Sequence, residues 1–439
     1  MEDGLKAIIS NRIYLDTTPE IKKHLINTLT YKIKKPPRPG LTHFNMYDII
    51  KNYKVLAGNI MAIPAGRADL IPEDYEIVDK RIKEDYPFPD PKFPLREYQQ
   101  PVYDDVEDMF FLNAKVGWGK TFTALHIARK LGQKTLIVCH TTMLRDQWIQ
   151  EAKNLYGMPI GQIGSDVFDI DHTIVVGNIQ TLVKKLPIIA KEFGTVIVDE
   201  AHHCPADTFT DFIDGMYSRY KIGLSGTMSR KDGKHVLFKD FFGHKLYQPI
   251  VAGTMVPKVK IIKSGLVLAP GEGWAKKMNI LQYDPDYQRF IASIAQTQMD
   301  KGHKVLIIAD RVEFLKNVGE ILGKDCVCIV GGTGFEERKA LARQIETGEK
   351  SAVAGSRQIF SEGISIDPLS CVILAVPISA PAGGDANIEQ IIGRIQRPYE
   401  GKLEPLVVDI NFAGPADRKQ NNERLNFYKR QGWEVSSIG

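Results

Sequence analysis

The chain has 439 residues, of which 43% are hydrophobic and 25% are charged, and its formal net charge is +4. This length exceeds what a single hydrophobic core supports, so we expect two large domains and a smaller one. The sequence contains no run of eighteen apolar residues and no start typical of a secretory signal, which predicts a cytoplasmic protein without membrane contact. Its five scattered cysteines argue against a disulfide framework, and their spacing predicts no zinc site.

The N-terminal segment combines short apolar runs with proline-rich breaks. We predict a strand over residues 7–15, a helix that begins at Pro19 after a threonine cap, and further strand residues over 55–63. Between Thr30 and Lys54, six basic residues accompany a single acid and are interspersed with aromatic residues.

This basic and aromatic segment has the composition of a surface that contacts nucleic acid. Basic side chains neutralise phosphates, and aromatic rings stack on bases. We predict phosphate contacts for Lys34, Lys35 and Arg38. An ordinary solvated surface has a similar composition, so the pattern alone leaves both interpretations open.

A proline-rich stretch, residues 86–94, separates this segment from the rest of the chain. Its prolines lack amide donors and favour extended backbone, which predicts a linker. After it, apolar runs alternate with helical segments, a pattern typical of parallel sheets covered by helices on both faces. We therefore predict two consecutive α/β domains and a final helix over residues 423–435. The predicted strands cover residues 135–140, 172–177, 195–200, 220–226, 304–310, 326–331, 351–356, 371–377 and 405–410.

A glycine-containing loop, AKVGWGKT at residues 114–121, follows an apolar run and precedes a helical pattern. This order is typical of a phosphate-binding loop. Gly117 and Gly119 would let backbone amides surround phosphate oxygens. Lys120 would reach the β- and γ-phosphates, and the Thr121 hydroxyl would ligate Mg²⁺.

Three further residues belong to the predicted nucleotide site. Ala114 stands where such loops usually begin with glycine, and Trp118 would place its indole near the nucleotide. Gln99, in LREYQQ, has an amide that could donate to and accept from the edge of adenine. A surface glutamine would look the same in the sequence.

Two carboxylates, Asp199 and Glu200, follow an apolar strand-like run, where an α/β sheet opens its ligand crevice. We predict that Asp199 binds Mg²⁺ through water and that Glu200 orients or deprotonates the attacking water. His202 follows closely and would link this site to the next motif by a hydrogen bond.

Far downstream, QIIGRIQR at residues 390–397 contains Arg394 and Arg397. On a helix these two arginines would share a face and could reach the charge that develops on a transferring γ-phosphoryl group. They are therefore candidate arginine fingers. A solvated basic helix face is the alternative interpretation of the pair.

The ordered segments LREYQ, AKVGWGKT, VDEAHH, GLSGT, SEGIS and QIIGRIQR resemble the superfamily two helicases of the DEAH-box type. Within that superfamily the chain is most similar to the XPB-like and phage branch-migration helicases, through GLSGTMSRKDG at residues 223–233. The resemblance implies two RecA-like domains with ATP between them. For the residues of the predicted nucleotide site, the resemblance implies the same roles as those described above.

The resemblance also implies roles for residues in the later motifs. Ser225 and Thr227 would couple hydrolysis to strand movement, and Gly363 would contact nucleotide. Gln390 would act with the two arginines in the finger motif. Many relatives carry aspartate two residues after the glycine equivalent to Gly363, whereas this chain has Ser365, which leaves sugar contact by that motif open.

Strand-contact roles are implied for residues in both α/β domains. Helix capping or ordinary surface exposure explains them nearly as well. The candidates are Thr142, Arg145, Gln180, Thr181 and Ser356.

Taken together, these patterns predict an ATP- and Mg²⁺-dependent DNA helicase or translocase, a monomeric motor that acts on forked or branched DNA in replication, recombination or repair. A duplex translocase that never separates strands, an RNA helicase and a nucleic-acid-binding protein with a silent ATPase are the alternatives. The predicted domains are an accessory DNA-binding domain over residues 1–90 and RecA-like domains over 91–255 and 256–439.

Overall fold

The structure is a computed structural model that describes residues 5–34, 47–115, 117–164, 166–203, 206–226, 233–249, 254–268, 273–362, 364, 366–378 and 386–438. The chain forms two compact units, Met1–Ile250 and Val251–Gly439. The first unit contains a small domain of strands with one helix and an α/β domain, and the second unit is another α/β domain. The predicted fold class is confirmed.

The N-terminal domain pairs a five-stranded sheet with one helix and adds a separate two-stranded hairpin. Its elements are β1 Lys6–Ile9, β2 Arg12–Asp16, α1 Pro19–Thr28, β3 Thr30–Lys34, β4 Tyr47–Lys51, β5 Lys54–Val55, β6 Ile60–Pro64, a 3₁₀ turn Ala68–Leu70 and β7 Glu76–Asp79. The sheet order is β5-β6-β2-β1-β7, and its pairs are antiparallel except β1 with β7. Leu25 of α1 packs on the sheet residues Ile13 and Met61 to form the core.

The sequence pattern predicted the start of this domain only in part. Thr18 caps α1 as expected, because its hydroxyl accepts the Ile21 amide at 3.3 Å. The single strand expected over residues 7–15 is instead two antiparallel strands. A tight turn separates them, in which the Ser10 amide donates to the Arg12 carbonyl at 2.9 Å. The hairpin of β3 and β4 was not predicted.

The first α/β domain contains an eight-stranded sheet. Its elements are a 3₁₀ turn Glu97–Gln99, α2 Gln100–Asp104, β8 Met109–Asn113, α3 Lys120–Leu131, β9 Thr135–Cys139, α4 Thr142–Tyr156, β10 Gly161–Gly164, β11 Val167–Asp169, β12 Ile174–Asn178, α5 Ile179–Ile189, β13 Thr195–Val198, a 3₁₀ turn Ala201–His203, α6 Ala206–Gly215, β14 Tyr220–Ser225, a 3₁₀ turn Lys234–Leu237, α7 Phe238–Phe242 and β15 Lys245–Tyr247. The order is β11-β10-β12-β9-β13-β14-β8-β15, and all pairs except β10 with β11 are parallel. The continuous apolar runs of the sequence are its buried central strands, as predicted.

The second α/β domain contains a seven-stranded, entirely parallel sheet. Its elements are β16 Lys258–Lys263, α8 Trp274–Tyr283, α9 Pro285–Asp300, β17 Val305–Ala309, α10 Val312–Leu322, a 3₁₀ turn Gly323–Asp325, β18 Cys326–Ile329, α11 Phe335–Glu346, β19 Ala352–Ser356, α12 Arg357–Glu362, β20 Cys371–Leu374, α13 Ala386–Gly393, β21 Leu406–Asn411, α14 Pro415–Arg430 and β22 Val435–Ile438. The order is β18-β19-β17-β20-β21-β16-β22.

The C-terminal segment differs from its prediction. The helix expected over residues 423–435 is α14, which begins earlier and ends at Arg430. Gly432 then adopts φ 72°, a conformation that favours glycine and stops the helix. The last strand, β22, pairs with the otherwise open edge of β16. Backbone pairing with a distant strand therefore decides the structure of this tail.

A buried cluster around Asp214 joins the N-terminal domain to the first α/β domain. Arg12 of β2 forms an ion pair with the Asp214 carboxylate. The Asn11 side-chain amide donates to the Asp214 carbonyl at 2.7 Å, and Lys221 of β14 donates to the Ile213 carbonyl at 3.0 Å. Burial lowers the pKa of Lys221 to about 8, against the attraction of Asp214.

A second buried cluster, the Asp240 cluster, joins the same two domains. Asp240 of α7 accepts hydrogen bonds from Tyr31 and Asn52, each at 2.8 Å, and from Arg67 at 3.2 Å. A Cβ on Gly66 would lie 2.6 Å from the Asp240 carbonyl, so the two backbones meet closely. Together the clusters hold the N-terminal domain against the first α/β domain.

The proline-rich stretch 86–94 is extended, as its prolines predicted, but it is not a free linker. The Tyr86 amide donates to the Gly132 carbonyl at 2.6 Å, and the Lys92 amide donates to the Leu155 carbonyl at 2.9 Å. The Phe88 ring also makes an edge contact with Tyr156. The stretch therefore lies along the first α/β domain.

Candidate nucleotide and nucleic-acid site

The phosphate loop and the paired carboxylates follow neighbouring strands of the first α/β sheet. β8 leads into the loop, β13 leads into Asp199, and β14 lies between these strands and parallel to both. The Ala114 amide donates to the Ser225 carbonyl at 3.0 Å, which joins the loop to the end of β14. Because the carboxyl ends of parallel strands meet at one edge, the structure brings these predicted residues together.

The loop needs glycine at two positions for conformational reasons. Gly117 has φ 90° and Gly119 has φ 93°, a region that side chains other than glycine rarely adopt. A Cβ on Gly119 would also lie 2.4 Å from Nε2 of Gln99. Helix α3 begins at the next residue, so its unpaired first-turn amides and its positive dipole end face the loop.

The predicted phosphate ligands lie at the start of α3. Lys120 donates from Nζ to the Ala114 carbonyl at 2.9 Å, so its ammonium lies against the loop. Thr121 is half-buried in the first helical turn. Ala114 is buried, and both its amide and its carbonyl are hydrogen-bonded, so the loop accommodates alanine in place of the usual glycine.

Gln99 is not a surface glutamine. It is 1% exposed, and its Oε1 accepts the Arg96 amide at 3.0 Å. Its Nε2 donates to the carbonyls of Trp118 and Gly119 at 3.1 and 3.4 Å. The amide therefore supports the phosphate loop directly, and contact with adenine would require these hydrogen bonds to rearrange.

Trp118 is completely buried, and its ring lies 6.1 Å from that of Tyr98. Its indole Nε1 has no hydrogen-bond partner among the described residues. The sequence predicted an indole near the nucleotide. The structure shows the indole packed inside the loop, where it would respond to loop movement.

Asp199 lies directly after β13 and is held by two hydrogen bonds. Its Oδ2 accepts the Trp148 indole N–H at 2.7 Å, and its Oδ1 accepts the Glu200 amide at 2.9 Å. Burial and the negative charge of Glu200 raise the pKa of Asp199 to about 6, whereas Trp148 and the positive charge of Lys120 oppose this rise. A buried carboxylate beside a second one favours a cation, which fits Mg²⁺ held by Asp199 and Thr121.

Glu200 and His202 connect the carboxylate pair to β14. Glu200 has φ 45°, a strained conformation for a residue with a side chain, and such strain clusters at functional sites. Nδ1 of His202 lies 3.2 Å from Oε2 of Glu200 and 2.7 Å from the Ser225 hydroxyl. The structure thus contains the link that the sequence predicted for His202.

The two candidate arginine fingers do not share a helix face, which corrects the prediction. Helix α13 ends at Gly393, and Arg394 follows in a turn in which its amide donates to the Ile391 carbonyl at 3.1 Å. Buried Arg394 also donates from Nε to the Phe360 carbonyl at 3.0 Å, whereas Arg397 pairs with Asp367 at 3.1 Å. Tertiary hydrogen bonds of the two arginines therefore override the local helical pattern.

Gln390 precedes these arginines on the buried face of α13. Its Oε1 has no hydrogen-bond partner among the described residues.

The strand-contact candidates of the first α/β domain fall into two groups. Thr142 begins α4 and Gln180 lies in the first turn of α5, where both are exposed, and Thr181 beside Gln180 is half-buried. Arg145 is buried, and it donates to Asn178 at 3.1 Å and to Asp146 at 2.8 Å. These bonds favour a structural role for Arg145 over direct phosphate contact.

In the second α/β domain, Ser356 ends β19 and is half-buried. Thr227, Gly363, Lys35 and Arg38 lie outside the described residues, as does Ser365. For Lys34 the structure describes the backbone, which pairs opposite Tyr47.

The hairpin of β3 and β4 has one face towards the first α/β domain and one towards solvent. Tyr31 and Ile50, which pair with each other, pack on that domain's core. Lys32 pairs with Ile49 on the opposite face and is exposed. Ile49 is 61% and Tyr47 50% exposed. We call Lys32, Tyr47 and Ile49 the hairpin face; it combines a cation with apolar and aromatic surface.

Sequence reasoning missed Trp148. The segment HTTMLRDQW, residues 140–148, pointed to Thr142 and Arg145 as strand contacts, whereas its tryptophan bonds to the metal-site carboxylate. The only sequence signal was a large aromatic residue on a helix that otherwise carries many polar residues.

Comparison with known proteins identifies the family. Residues 92–230 match the model "Type III restriction enzyme, res subunit", and residues 287–398 match "Helicase conserved C-terminal domain". "Probable helicase D10" of Escherichia phage T5 is 40% identical over 99% of this chain and 96% of its own length. The chain is a superfamily 2 helicase. The family also makes it an ATP-dependent enzyme.

Two other similarities agree with this assignment. "DNA 3'-5' translocase XPB2" of Sulfurisphaera tokodaii is 24% identical to the helicase over 88% of this chain and 96% of its own length. The solved structure "S. cerevisiae Dbp5 bound to RNA and ADP BeF3" has a TM-score of 0.54 at 12% identity, covering 78% of this chain and 89% of its own, which shows the shared fold. Within the part of the helicase that the structure describes, no helix is long and apolar enough to cross a membrane.

Proposed function

We propose that the helicase is a motor that couples ATP hydrolysis to unwinding or branch migration of forked or branched DNA. The main observation behind this proposal is the convergence of three features at one sheet edge. They are the phosphate loop, the Asp199–Glu200 pair and the hydrogen bond from His202 to Ser225. A hydrolytic site bonded directly to the strand that leads to the coupling motif is suited to drive movement.

The side chains divide the chemistry among them. Lys120 and the first-turn amides of α3 would bind the phosphates, and Thr121 and Asp199 would hold Mg²⁺. When bound, Mg²⁺ would offset charge on the phosphate oxygens. Glu200 orients the attacking water and accepts its proton. Its contact with His202 lets the protonation or movement of this carboxylate influence Ser225.

Arg394, Arg397 and Gln390 of the second α/β domain complete the proposed hydrolytic machinery. The guanidinium groups would stabilise the charge on the transferring γ-phosphoryl group. Thr227 and Gly363 keep their proposed coupling and nucleotide roles.

The name of the S. tokodaii relative, a DNA translocase, supports DNA as the substrate. The hairpin face offers a cation beside aromatic and apolar surface, which suits contact with nucleic acid in general. Thr142, Gln180, Thr181 and Ser356 are proposed to contact one strand along the α/β domains. The hairpin face would engage the duplex at the junction.

A substrate comparison tests the proposal. ATP turnover and strand separation are measured with a DNA fork, a four-way junction, a simple overhang and an RNA duplex at one salt concentration. We expect the forked and branched DNAs to stimulate turnover most and to be unwound. Greater stimulation by the RNA duplex would assign the helicase to RNA instead, and equal stimulation would contradict a preference for DNA.

The Glu200→Gln variant provides the matched control for turnover. It preserves the size of the side chain but removes the base, so we expect ATP binding to persist while turnover falls by about 10²–10⁴-fold. Undiminished turnover in this variant would exclude Glu200 from its proposed role. Absence of DNA-stimulated turnover in the unmodified protein would favour a binding protein with a silent ATPase.

A duplex translocase without strand separation is the second candidate function. The name of the S. tokodaii relative, a translocase, favours it. Displacement of a triplex-forming strand without separation of a fork would establish this function, whereas separation of the fork would exclude it.

A further inference from the structure

Trp148 is buried in the first α/β domain and directly contacts the proposed metal ligand. Its ring is 1% exposed, and its indole N–H donates to Oδ2 of Asp199 at 2.7 Å. The other carboxylate oxygen accepts the Glu200 amide at 2.9 Å. Each oxygen therefore receives one donor from the protein, which fixes the rotation of the carboxyl group and leaves lone pairs for a further ligand.

The helix that carries Trp148 also carries the candidate strand contacts. Thr142 begins α4 and is exposed, and Arg145 donates to Asn178 at 3.1 Å. Asn178 immediately precedes α5, whose first turn contains Gln180. Arg145 lies one turn from each of Thr142 and Trp148 along the helix.

Helix α4 is one continuous helix from Thr142 to Tyr156. The Thr141 hydroxyl caps it by accepting the Leu144 amide at 3.3 Å, and Leu144, Ala152 and Leu155 are buried. The distance along the axis from Thr142 to Trp148 is about 9 Å at 1.5 Å per residue. This continuous helix is the route by which strand binding at Thr142 would reach the indole.

We propose that Trp148 is a positioning residue that orients the Asp199 carboxylate for Mg²⁺ and transmits strand binding at the start of α4 to that carboxylate. This inference rests on the proposed function for the roles of Asp199 and Thr142. It assigns to Trp148 no contact with ATP or nucleic acid. Hydrogen bonds to a metal ligand typically change metal affinity or activity by about 10–100-fold, which sets the size of the expected effect.

The Trp148→Phe variant tests the proposal because it keeps an aromatic ring and removes the N–H donor. The matched control is Tyr156→Phe, at the other end of α4. Tyr156 is also buried, and its hydroxyl donates to the Leu125 carbonyl at 2.8 Å, so this control loses one buried hydrogen bond of the same helix away from Asp199.

The first measurement is binding of a fluorescent N-methylanthraniloyl derivative of ATP during a titration with MgCl₂, without nucleic acid. We expect Trp148→Phe to require about 10-fold more Mg²⁺ for half-maximal binding than the unmodified protein. Tyr156→Phe should have the same Mg²⁺ requirement as the unmodified protein, even if the melting temperatures of both variants are lowered by similar amounts. An unchanged Mg²⁺ requirement in Trp148→Phe, or an equal shift in Tyr156→Phe, would overturn the proposal.

The second measurement separates transmission from metal binding. At saturating Mg²⁺, we expect Trp148→Phe to retain its affinity for a DNA fork but to lose most of the stimulation of ATP turnover by that fork. Full stimulation at saturating Mg²⁺ would reject the transmission role. If the unmodified protein itself shows no stimulation by DNA, the proposed function fails, while the Mg²⁺ titration still decides the orienting role.

A shape-preserving substitution covers the case in which Trp148→Phe does not fold. Site-specific incorporation of 3-benzothienylalanine at position 148 replaces the indole N–H by sulfur and leaves the ring size nearly unchanged. The same shift in Mg²⁺ requirement is expected, and its absence would contradict the orienting role.

Discussion

At the scale of single residues, the two candidate arginine fingers have different environments. Arg394 is buried and donates to the Phe360 carbonyl, whereas Arg397 is 21% exposed and pairs with the more exposed Asp367. Arg394 therefore contributes to the packing of the second α/β domain as well as to any chemistry. Arg397 forms a solvent-screened ion pair of the kind that adds little to stability.

This difference predicts separable effects of two substitutions. Both Arg394→Ala and Arg397→Ala should lower ATP turnover, by about 10³-fold or more if each acts as a finger. Only Arg394→Ala should also lower the free energy of unfolding, by about 1.5–3 kcal/mol, because it removes a buried hydrogen bond from a charged group. Arg397→Ala should cost about 0–1 kcal/mol.

Denaturant unfolding and steady-state turnover measure these two effects. Equal destabilisation by the two variants would contradict the environments seen here. Unchanged turnover in either variant would remove that arginine from the finger role.

At the scale of elements, buried polar groups hold α7 of the first α/β domain to the N-terminal domain. Tyr31 of β3 and Asn52 after β4 both donate to Asp240 at 2.8 Å, and Arg67 donates at 3.2 Å. Burial raises the pKa of Asp240, whereas these hydrogen bonds and the charge of Arg67 oppose the rise. The carboxylate is thus the shared acceptor for three separate segments.

Removal of this acceptor should be strongly destabilising. We expect Asp240→Ala to lower the free energy of unfolding of the first unit by about 3–5 kcal/mol, because Tyr31, Asn52 and Arg67 would all lose their shared buried acceptor. The matched control is Asp69→Ala, since Asp69 pairs with the same arginine at 2.9 Å but is 35% exposed. Because solvent screens this ion pair, we expect Asp69→Ala to lower the free energy of unfolding by only about 0–1 kcal/mol.

Thermal or denaturant unfolding of the two variants provides the measurement. If Asp240→Ala lowers the free energy of unfolding no more than Asp69→Ala does, the Asp240 cluster does not hold the domains together.

At the scale of the whole molecule, the first unit carries both the hydrolytic site and the hairpin face. Tyr31 and Ile50 of the hairpin pack on the core of the first α/β domain, so the outward-facing Lys32 and Ile49 move with that domain. Deletion of residues 1–85 would be a poor test of DNA binding. It would leave Asp214 and Asp240 of the α/β domain without their partners and would confound binding with misfolding.

A charge reversal on the hairpin face is a cleaner test. We expect Lys32→Glu to weaken binding of forked DNA and to reduce the slope of log affinity against log salt by about 1, since one phosphate contact is lost. The control is Lys23→Glu on α1, an exposed lysine of the same domain away from the hairpin. Turnover without DNA should stay unchanged in both variants.

Fluorescence anisotropy with a labelled fork at several salt concentrations measures both quantities. Identical affinities and slopes for the two variants would exclude the hairpin face from the DNA interface.

Local sequence patterns were sufficient to predict the fold class, most strands of the two parallel sheets, the phosphate loop and the carboxylate pair. These features depend on local patterns: apolar runs form buried strands, and glycines permit the positive φ angles of Gly117 and Gly119. The sequence also indicated His202 as a link, because that residue follows the carboxylates closely.

The features that join distant parts of the chain depend on contacts that form when the chain folds. They include the bond from Trp148 to Asp199, the burial of Arg145, the attachment of the N-terminal domain through Asp240, and the pairing of β22 with β16. The partners in these side-chain hydrogen bonds lie between 33 and 209 residues apart, so no local pattern contains them. Burial and hydrogen bonding at long range are satisfied only once the chain has folded, and they determine which polar residues support the structure and which remain exposed to a ligand.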